Sequence, residues 1–185
     1  MEQQPTEPTD GNVVARVRAG DRDAYRILVR RYQDVLYRHA LRMTGAADVA
    51  ADLVQSARAK AYTHIDRCRD PERFGAWLFR ILANRCKDHL KSRRRRDVSL
   101  DSDSIPPARS NEDPALDTER HELRRLIEAA LRKLPEIQRE AFLLKHVEGR
   151  SYDEISEMLD VSVPALKMRV LRAREALRAE LEEVL

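Results

Sequence analysis

Apolar residues recur at helical spacing through most of the first half of the chain. Between Asp21 and Gly45 they fall every three or four residues, which predicts one helix with a single buried face. Asp21 can cap the start of this helix, and Gly45 can end it. The predicted buried stripe consists of Tyr25, Leu28, Tyr32, Val35, Leu36 and Leu41.

Two further helices are predicted before the chain changes character. The second covers residues 46–65, and the third runs from Phe74 towards Arg93. Between them lies a charged loop, in which Pro71 prevents a continuous helix because proline lacks the N–H that the helix needs. The residues expected in the core are Val49, Leu53, Ala57 and Tyr62 or their neighbours, and then Trp77, Leu78, Ile81, Leu82 and Leu90.

A polar interruption separates these helices from the C-terminal part. Residues 97–114 include two adjacent prolines and many turn-forming residues, which is typical of a flexible linker. Helical periodicity resumes at Leu116. Pro135 begins another helix, which is expected to stop near Gly149.

A short amphipathic helix and a basic helix stand almost back to back after Ser151. Pro164 fits the first turn of the second helix, where N–H groups have no intrahelical acceptor. Leu166, Val170 and Ala173 are expected to face the core, so the basic residues lie on other faces. The pattern predicts a helix-turn-helix, whose second helix enters the DNA major groove. A helical hairpin with a solvated basic face fits the same pattern.

Composition agrees with a helical chain. Of 185 residues, 36% are charged, 5% are aromatic and only 5 are glycine, which disfavours a large sheet protein. We predict an all-α fold with two small helical domains, a flexible acidic linker and a C-terminal helix-turn-helix. The predicted boundaries are a disordered N-terminus at 1–11, a first domain at 12–96, the linker at 97–117 and a second domain at 118–185.

Charge is unevenly distributed, although the net charge is only +3. The run KSRRRR at residues 91–96 carries five positive charges, whereas residues 97–119 carry seven acids against the single Arg109. A basic helix end beside an acidic segment is typical of a surface that binds a polyanion next to one that avoids it.

Cysteine usage and hydropathy predict a cytoplasmic protein with no membrane contact of its own. The N-terminus does not resemble a secretory signal, and no apolar stretch approaches membrane-spanning length. Cys68 and Cys86 lack metal-binding spacing and the five histidines are scattered, so we predict no metal site and no cofactor. Free thiols are expected, with a redox-sensitive pair as the alternative.

Three motifs, in this order, resemble bacterial sigma factors of the sigma-70 family, in the compact extracytoplasmic-function (ECF) group. They are AADLVQ at residues 50–55, FGAWLFRILANRCKDHLKSRRR at 74–95 and LPEIQREAFLLKHVEGRSYDEISEMLDVSVPALKMRVLRAREAL at 134–177. The resemblance covers nearly all of residues 12–183. The sequence departs from the family pattern at Asp160, where the turn commonly has glycine, at Pro164 and Ala165, and at Ser56 to Arg58.

The resemblance implies a promoter-recognition factor with two DNA-binding domains. The first domain would bind core RNA polymerase and recognise and open the −10 element, and the second would recognise the −35 element. Implied partners are core RNA polymerase, double- and single-stranded promoter DNA and an anti-sigma factor. The residues implied to bind core polymerase are Asp52, Leu53, Val54 and Gln55, with Asp52 and Gln55 on one outer face and Leu53 turned towards the core.

The resemblance also implies specific DNA contacts. Asn84 would hold an unpaired base, because its amide can both donate and accept hydrogen bonds. The other residues expected along the −10 strand are Lys60, Arg69, Phe74, Arg80 and Arg85. The residues expected at the −35 element are Arg139, Pro164, Lys167, Met168, Arg169, Leu171, Arg172 and Arg174. Among them Arg139, together with Arg169 or Arg174, would contact phosphates.

Two other classes of function are weighed against this interpretation. A stand-alone helix-turn-helix regulator would explain the C-terminal half but would not need the DLVQ surface or the promoter-opening helix. An enzyme would need converging acids, a nucleophile motif or a phosphate-binding glycine loop, and the sequence has none of these. We therefore predict a non-enzymatic sigma factor, with the stand-alone regulator as the alternative.

Overall fold

The computed structural model describes residues 7–99 and 118–182, and all the regular elements in those ranges are helical. The described residues form two compact units, one ending at Asp88 and the other beginning at His89. The predicted all-α fold with two helical domains is confirmed. The structural division lies inside a helix, before the boundary predicted after Arg96. That helix continues to Ser99, and the rest of the predicted linker lies outside the described residues.

The first unit contains helices that are joined by short turns. They are α1 (Asp10–Arg18), α2 (Tyr25–Thr44), α3 (Ala47–Thr63) and most of α4 (Phe74–Ser99). The turns include 3₁₀ segments at Arg22–Ala24, Ile65–Arg67 and Pro71–Arg73. Helix α1 begins at Asp10, so residues 10 and 11 are helical rather than part of the disordered N-terminus predicted for 1–11. The Thr9 hydroxyl caps α1 by accepting a hydrogen bond from the Asn12 N–H at 3.2 Å.

Helix α2 begins and ends as its sequence predicts. The Asp21 carboxylate accepts from the Ala24 N–H at 3.1 Å and starts the 3₁₀ turn that leads into α2. Gly45 ends the helix with a φ of 72°, a conformation that costs glycine least. Leu28, Leu36 and Met43 are fully buried.

Small side chains on α3 let it pack closely against α2. The buried residues of α3 are Ala50, Val54, Ala57 and Ala61, which follow one another at spacings of four and three residues. Leu53 is half-buried beside this stripe, and Val54 takes the core position with 4% exposure. The prediction that Leu53 faces the core was therefore displaced by one residue.

The second unit packs its helices around the last of them. They are α5 (Thr118–Lys133), α6 (Glu136–Phe142), α7 (Tyr152–Leu159) and α8 (Val163–Glu182). Helix α6 continues into a π-helical turn at Leu143–Val147, where the Glu148 N–H donates to the Leu143 carbonyl at 2.9 Å. The sequence pattern did not predict this wider turn. One apolar cluster joins α5 to α8 through Ala130, Leu134, Ala173 and Leu177.

Hydropathy gives no membrane-spanning candidate in the two described ranges. Every helix there is either too short or too polar to cross a bilayer.

Candidate nucleic-acid interface

The DLVQ motif lies in the middle of α3 and has an inner and an outer side. Asp52 and Gln55 are exposed, and their spacing of three residues places them on neighbouring positions of the helix surface. Val54 is buried and fixes the orientation of the motif against α2. The outer side therefore offers one carboxylate and one amide to a partner.

The segment between α3 and α4, residues 64–73, is called the α3–α4 loop here. Ile65 and Cys68 are buried and anchor its first half, while Arg67 and Arg69 are exposed. In its second half, the Asp70 carboxylate accepts from the Glu72 N–H at 3.2 Å and starts the turn that contains Pro71. The Cys68 thiol donates to the Asp70 carbonyl at 3.4 Å and joins the halves. Burial raises the pKa of this thiol, so the neutral form is favoured.

Helix α4 carries a polar stripe along the side that includes Asn84. Arg80 and Asn84 are about 40° apart around the helix axis, and Lys87 lies about 20° from Arg80 on the other flank. Asn84 is exposed, whereas Arg80 and Lys87 are half-buried. Arg85 is half-buried and about 140° away from Arg80, so α4 does not place it on this stripe. Lys87 is absent from the sequence-based prediction, although its helical spacing could have indicated it.

Helix α7 begins with a reciprocal cap that fixes the approach to the turn. The Ser151 hydroxyl accepts from the Glu154 N–H at 3.2 Å, and the Glu154 carboxylate accepts from the Ser151 N–H at 2.7 Å. These hydrogen bonds lower the pKa of Glu154, since they favour the ionised carboxylate.

The turn into α8 consists of Asp160, Val161 and Ser162. Asp160 ends α7 with a φ of 59°, the left-handed conformation that the more common glycine would adopt without strain. The Leu166 N–H donates to the Ser162 carbonyl at 3.0 Å, and the exposed Pro164 lies in the first turn of α8. Proline therefore begins this helix rather than breaking it.

Helix α8 turns its apolar residues inward and its basic residues outward. Leu166, Val170, Ala173 and Leu177 are buried, as the spacing of the apolar residues along this helix predicts. Among the predicted contact residues on the outer side, Arg169 is half-buried. The exposed ones are Lys167, Met168, Leu171, Arg172 and Arg174.

The outer side of α8 combines charge with two unusually exposed apolar side chains. Met168 is 47% exposed and Leu171 is 44% exposed, and their spacing of three residues makes them neighbours. The Lys167 ammonium lies 5.8 Å from the centre of the Tyr152 ring, and the Lys145 ammonium lies 4.8 Å from the same ring. Sequence reasoning missed this aromatic position, which α7 brings beside the basic helix.

Comparison with known proteins identifies two regions of the chain. Residues 28–96 match the family model for Sigma-70 region 2, and residues 124–177 match the one for Sigma-70, region 4. The chain is 36% identical to the ECF RNA polymerase sigma-E factor of Escherichia coli K12 over 179 residues, covering 91% of this chain and 92% of the relative. It is 35% identical to the RNA polymerase sigma-H factor of Pseudomonas aeruginosa over 188 residues, covering 97% of each. The chain belongs to the ECF sigma factors of the sigma-70 family.

Solved structures of sigma factors have the same fold. The sigma factor RpoE from Bartonella quintana, solved with the anti-sigma factor NepR, has a TM-score of 0.66 and 26% identity, covering 85% of this chain and 96% of that one. CnrH, solved with the cytosolic domain of CnrY, has a TM-score of 0.65 and 29% identity, covering 94% and 97%.

The predicted family, function class and principal partners are thereby confirmed. This sigma factor directs RNA polymerase in transcription initiation, and its partners are core RNA polymerase and promoter DNA. The family consists of initiation factors rather than enzymes.

Two residues predicted to contact DNA are buried in this sigma factor. Phe74 has 0% exposure and packs against the rings of Tyr25, Tyr32 and Trp77, with centroid distances of 6.4, 6.1 and 5.8 Å. The first residue of α4 is thus the centre of an aromatic cluster. Its ring is not available to line a DNA strand in this conformation.

Arg139 is the second buried residue, with 5% exposure. Its guanidinium donates to the carbonyls of Arg132 and Leu134, at 2.5 and 3.3 Å, near the C-terminal end of α5. Burial lowers its pKa to about 10, a value at which the side chain is still charged at neutral pH. Carbonyl groups at a helix end need donors, so this geometry gives Arg139 a structural role in place of the predicted phosphate contact.

Proposed function

We propose that this sigma factor divides promoter recognition among three exposed surfaces. The outer side of the DLVQ motif would bind core polymerase, the α3–α4 loop with the α4 stripe would hold the melted −10 strand, and α8 would read the −35 element. The observation that supports this division most is the clean separation on α8 between a buried apolar face and an exposed basic face. Run-off transcription with purified core polymerase, with and without the protein, distinguishes it from a stand-alone regulator.

The polymerase-binding role of Asp52 and Gln55 can be tested by reversing charge on the outer side of α3. Asp52→Lys combined with Gln55→Ala is expected to weaken binding to core polymerase in a competition assay. Both side chains are exposed, so the free energy of unfolding should be unchanged. Asp34→Lys, at an exposed position of α2, makes the same charge change elsewhere and is the control. Equal core affinity of the parent and the double variant would contradict this role.

The role of Asn84 concerns an unpaired promoter base. A base held outside the stack needs hydrogen bonds to its edge, and an amide can supply both a donor and an acceptor. Asn84→Ala is expected to reduce permanganate reactivity of duplex promoter DNA, while a pre-melted bubble template restores much of the activity. Gln33→Ala removes an exposed amide from α2 and serves as the control. The role is refuted if permanganate reactivity is the same in the variant and the parent.

Helix α8 is proposed to read bases with some residues and to contact phosphates with others. Lys167 and Arg172 are about 140° apart around the helix, so they would reach different bases or strands. If Arg172 donates to a base edge, Arg172→Ala should lose about 1–3 kcal/mol of DNA-binding free energy. The variant should also discriminate less between bases at one position of the −35 element. Met168 and Leu171 can offer only apolar contact, for instance to a thymine methyl. A uniform loss for Arg172→Ala over a panel of single-base −35 variants would contradict base reading.

Control by an anti-sigma factor is proposed from the structural relatives. Both similar sigma factors were solved with a partner, NepR in one case and the cytosolic domain of CnrY in the other. The test of anti-sigma control is to add the purified product of a neighbouring gene to the run-off assay. Inhibition that is relieved by excess sigma factor would support the proposal, whereas no inhibition would remove that candidate.

We place this sigma factor in the cytoplasm, where polymerase and promoter DNA are found, and assign it no catalytic activity of its own.

A further inference from the structure

Helix α1 is hydrogen-bonded to both halves of the α3–α4 loop, although about fifty residues of chain separate them. At the end of α1, the Arg18 guanidinium donates to the Ile65 carbonyl at 2.8 Å and to the Cys68 carbonyl at 2.6 Å. At the start of α1, the Thr9 hydroxyl donates to the Glu72 carboxylate at 3.0 Å. The helix therefore spans the loop and is bonded to it at two places.

The Arg18 contacts constrain the backbone of the loop directly. One nitrogen, Nη2, bonds the carbonyl of Ile65, the first residue of the 3₁₀ turn, and that of Cys68, the residue after the turn. It approaches the Asp66 carbonyl at 3.5 Å as well. A guanidinium is planar and rigid, so it fixes the distance between the carbonyls that it bonds. Charge-assisted hydrogen bonds of this kind are stronger than neutral ones. Losing them would let the first half of the loop sample additional conformations.

The start of α1 supports the second half of the loop in a different way. Thr9 uses the same hydroxyl to cap α1 and to bond Glu72, so the helix terminus and the loop share one group. The Glu72 carboxylate lies directly over Gly11, where an added Cβ would come within 2.1 Å of it. Glycine at this position therefore leaves the space that the carboxylate occupies.

We propose that α1 is a brace that holds the α3–α4 loop in the conformation that receives the melted promoter strand, with Arg18 as a positioning residue. This inference rests on the proposed −10 function of the loop. The loop presents Arg67 and Arg69 to solvent, where they are available to a phosphate backbone. A loop ordered before binding spares the strand the entropic cost of ordering it.

The first experiment measures how well ordered the α3–α4 loop is in the absence of nucleic acid. Hydrogen exchange should be followed at the amides of Arg67 and Cys68, which donate to carbonyls within the loop at 2.8 and 3.1 Å. In Arg18→Ala these amides should exchange about tenfold faster, as expected for the loss of one charge-assisted hydrogen bond. Arg16→Ala is the matched control, because Arg16 lies on the same helix but bonds Asp21 at 2.7 Å. Equal exchange in the two variants would overturn the brace.

The second experiment measures the consequence for the strand in the holoenzyme. The probe is a single-stranded oligonucleotide that carries the −10 sequence of the non-template strand. Arg18→Ala should bind it about 5- to 10-fold more weakly than Arg16→Ala does, because one charge-assisted hydrogen bond is lost. Both variants should compete equally for core polymerase. Arg18→Lys should fall between them, since lysine keeps the positive charge but its ammonium, on a shorter side chain, does not reach the position of Nη2.

The outcomes separate this inference from the function on which it rests. If the parent holoenzyme fails to open promoter DNA, the proposed −10 function is wrong, whatever the exchange data show. If the parent opens DNA but the Arg18 and Arg16 variants bind the oligonucleotide equally, the brace alone is wrong. If Arg18→Ala loses core binding in the same proportion as oligonucleotide binding, the residue serves the fold generally and the positioning role is overturned.

Discussion

Replacing Arg139 with methionine removes a buried guanidinium from region 4 while keeping an unbranched apolar side chain in place of the arginine stem. Two hydrogen bonds to charged donors contribute roughly 3–5 kcal/mol together, with the 3.3 Å bond to Leu134 at the weaker end. Methionine avoids the cost of burying a charge, but it also removes the guanidinium charge that interacts with the buried Glu136 carboxylate, so it offsets only part of that loss. Two carbonyls near the end of α5 still lose their donor. We expect a net destabilisation of about 2 kcal/mol, which lowers the melting temperature of this small unit by roughly 10 °C.

The single tryptophan allows the effect to be assigned to one unit. Trp77 lies in the first unit, so its fluorescence reports unfolding there, whereas circular dichroism reports helix loss in both. Arg139→Met should lower the melting temperature of the second unit, which is seen in circular dichroism but not in tryptophan fluorescence. An unchanged dichroism transition would refute a structural role for Arg139.

A salt titration distinguishes this structural role from a phosphate contact. Below the melting transition, Arg139→Met should leave the dependence of −35 DNA affinity on salt unchanged. Arg174→Ala, at an exposed position of α8, is the comparison and should reduce the log–log slope by about 0.9 with little loss of stability. If Arg139→Met reduces the slope as much as Arg174→Ala does, the guanidinium contacts phosphate after all and the reasoning from burial is wrong.

Three further predictions concern local features of the two units. Asp160→Gly should stabilise region 4 by about 1 kcal/mol because it relieves a left-handed backbone, and Asp160→Asn, which removes only the charge, should gain less in urea unfolding. Ser151→Ala should destabilise the same region by about 1 kcal/mol, measured by dichroism, because α7 loses its cap. Burial raises the pKa of Tyr25 from 10.0 to about 12, so its contribution to stability is complete below pH 10 and lost as the pH rises towards 12. Tyr25→Phe should therefore lose less stability than the parent across that window in urea titrations.

Helix boundaries and the faces of α8 could be predicted because they depend on neighbouring residues. The cap at Asp21, the stop at Gly45 and the start at Pro164 are encoded within one turn of chain. The inward positions of α8 repeat every three or four residues, which periodicity detects directly.

Contacts between different helices and loops could not be predicted in this way. Arginine is usually found on the surface, and the burial of Arg139 is explained only by its hydrogen bond to a carbonyl near the end of α5. The same holds for Phe74, which is buried by rings from α2 and α4. On α3 the buried stripe consists mostly of alanines, which hydropathy distinguishes poorly from their neighbours, so the core position that Val54 takes was assigned to Leu53. The Arg18 bonds span nearly fifty residues, and no local pattern indicates them.

Gly75 gives this sigma factor a constraint that would be visible in its evolution. A Cβ at this position would lie 2.6 Å from the ring of Tyr32, so even alanine requires that ring to move. The Tyr32 hydroxyl in turn donates to the carboxylate of Asp10, which also binds Arg31. A smaller residue at position 32 would make room for a side chain at 75, but it would leave the first residue of α1 without its phenol donor. Positions 10, 32 and 75 are therefore expected to change together among relatives, and a substitution at any one of them alone should be rare.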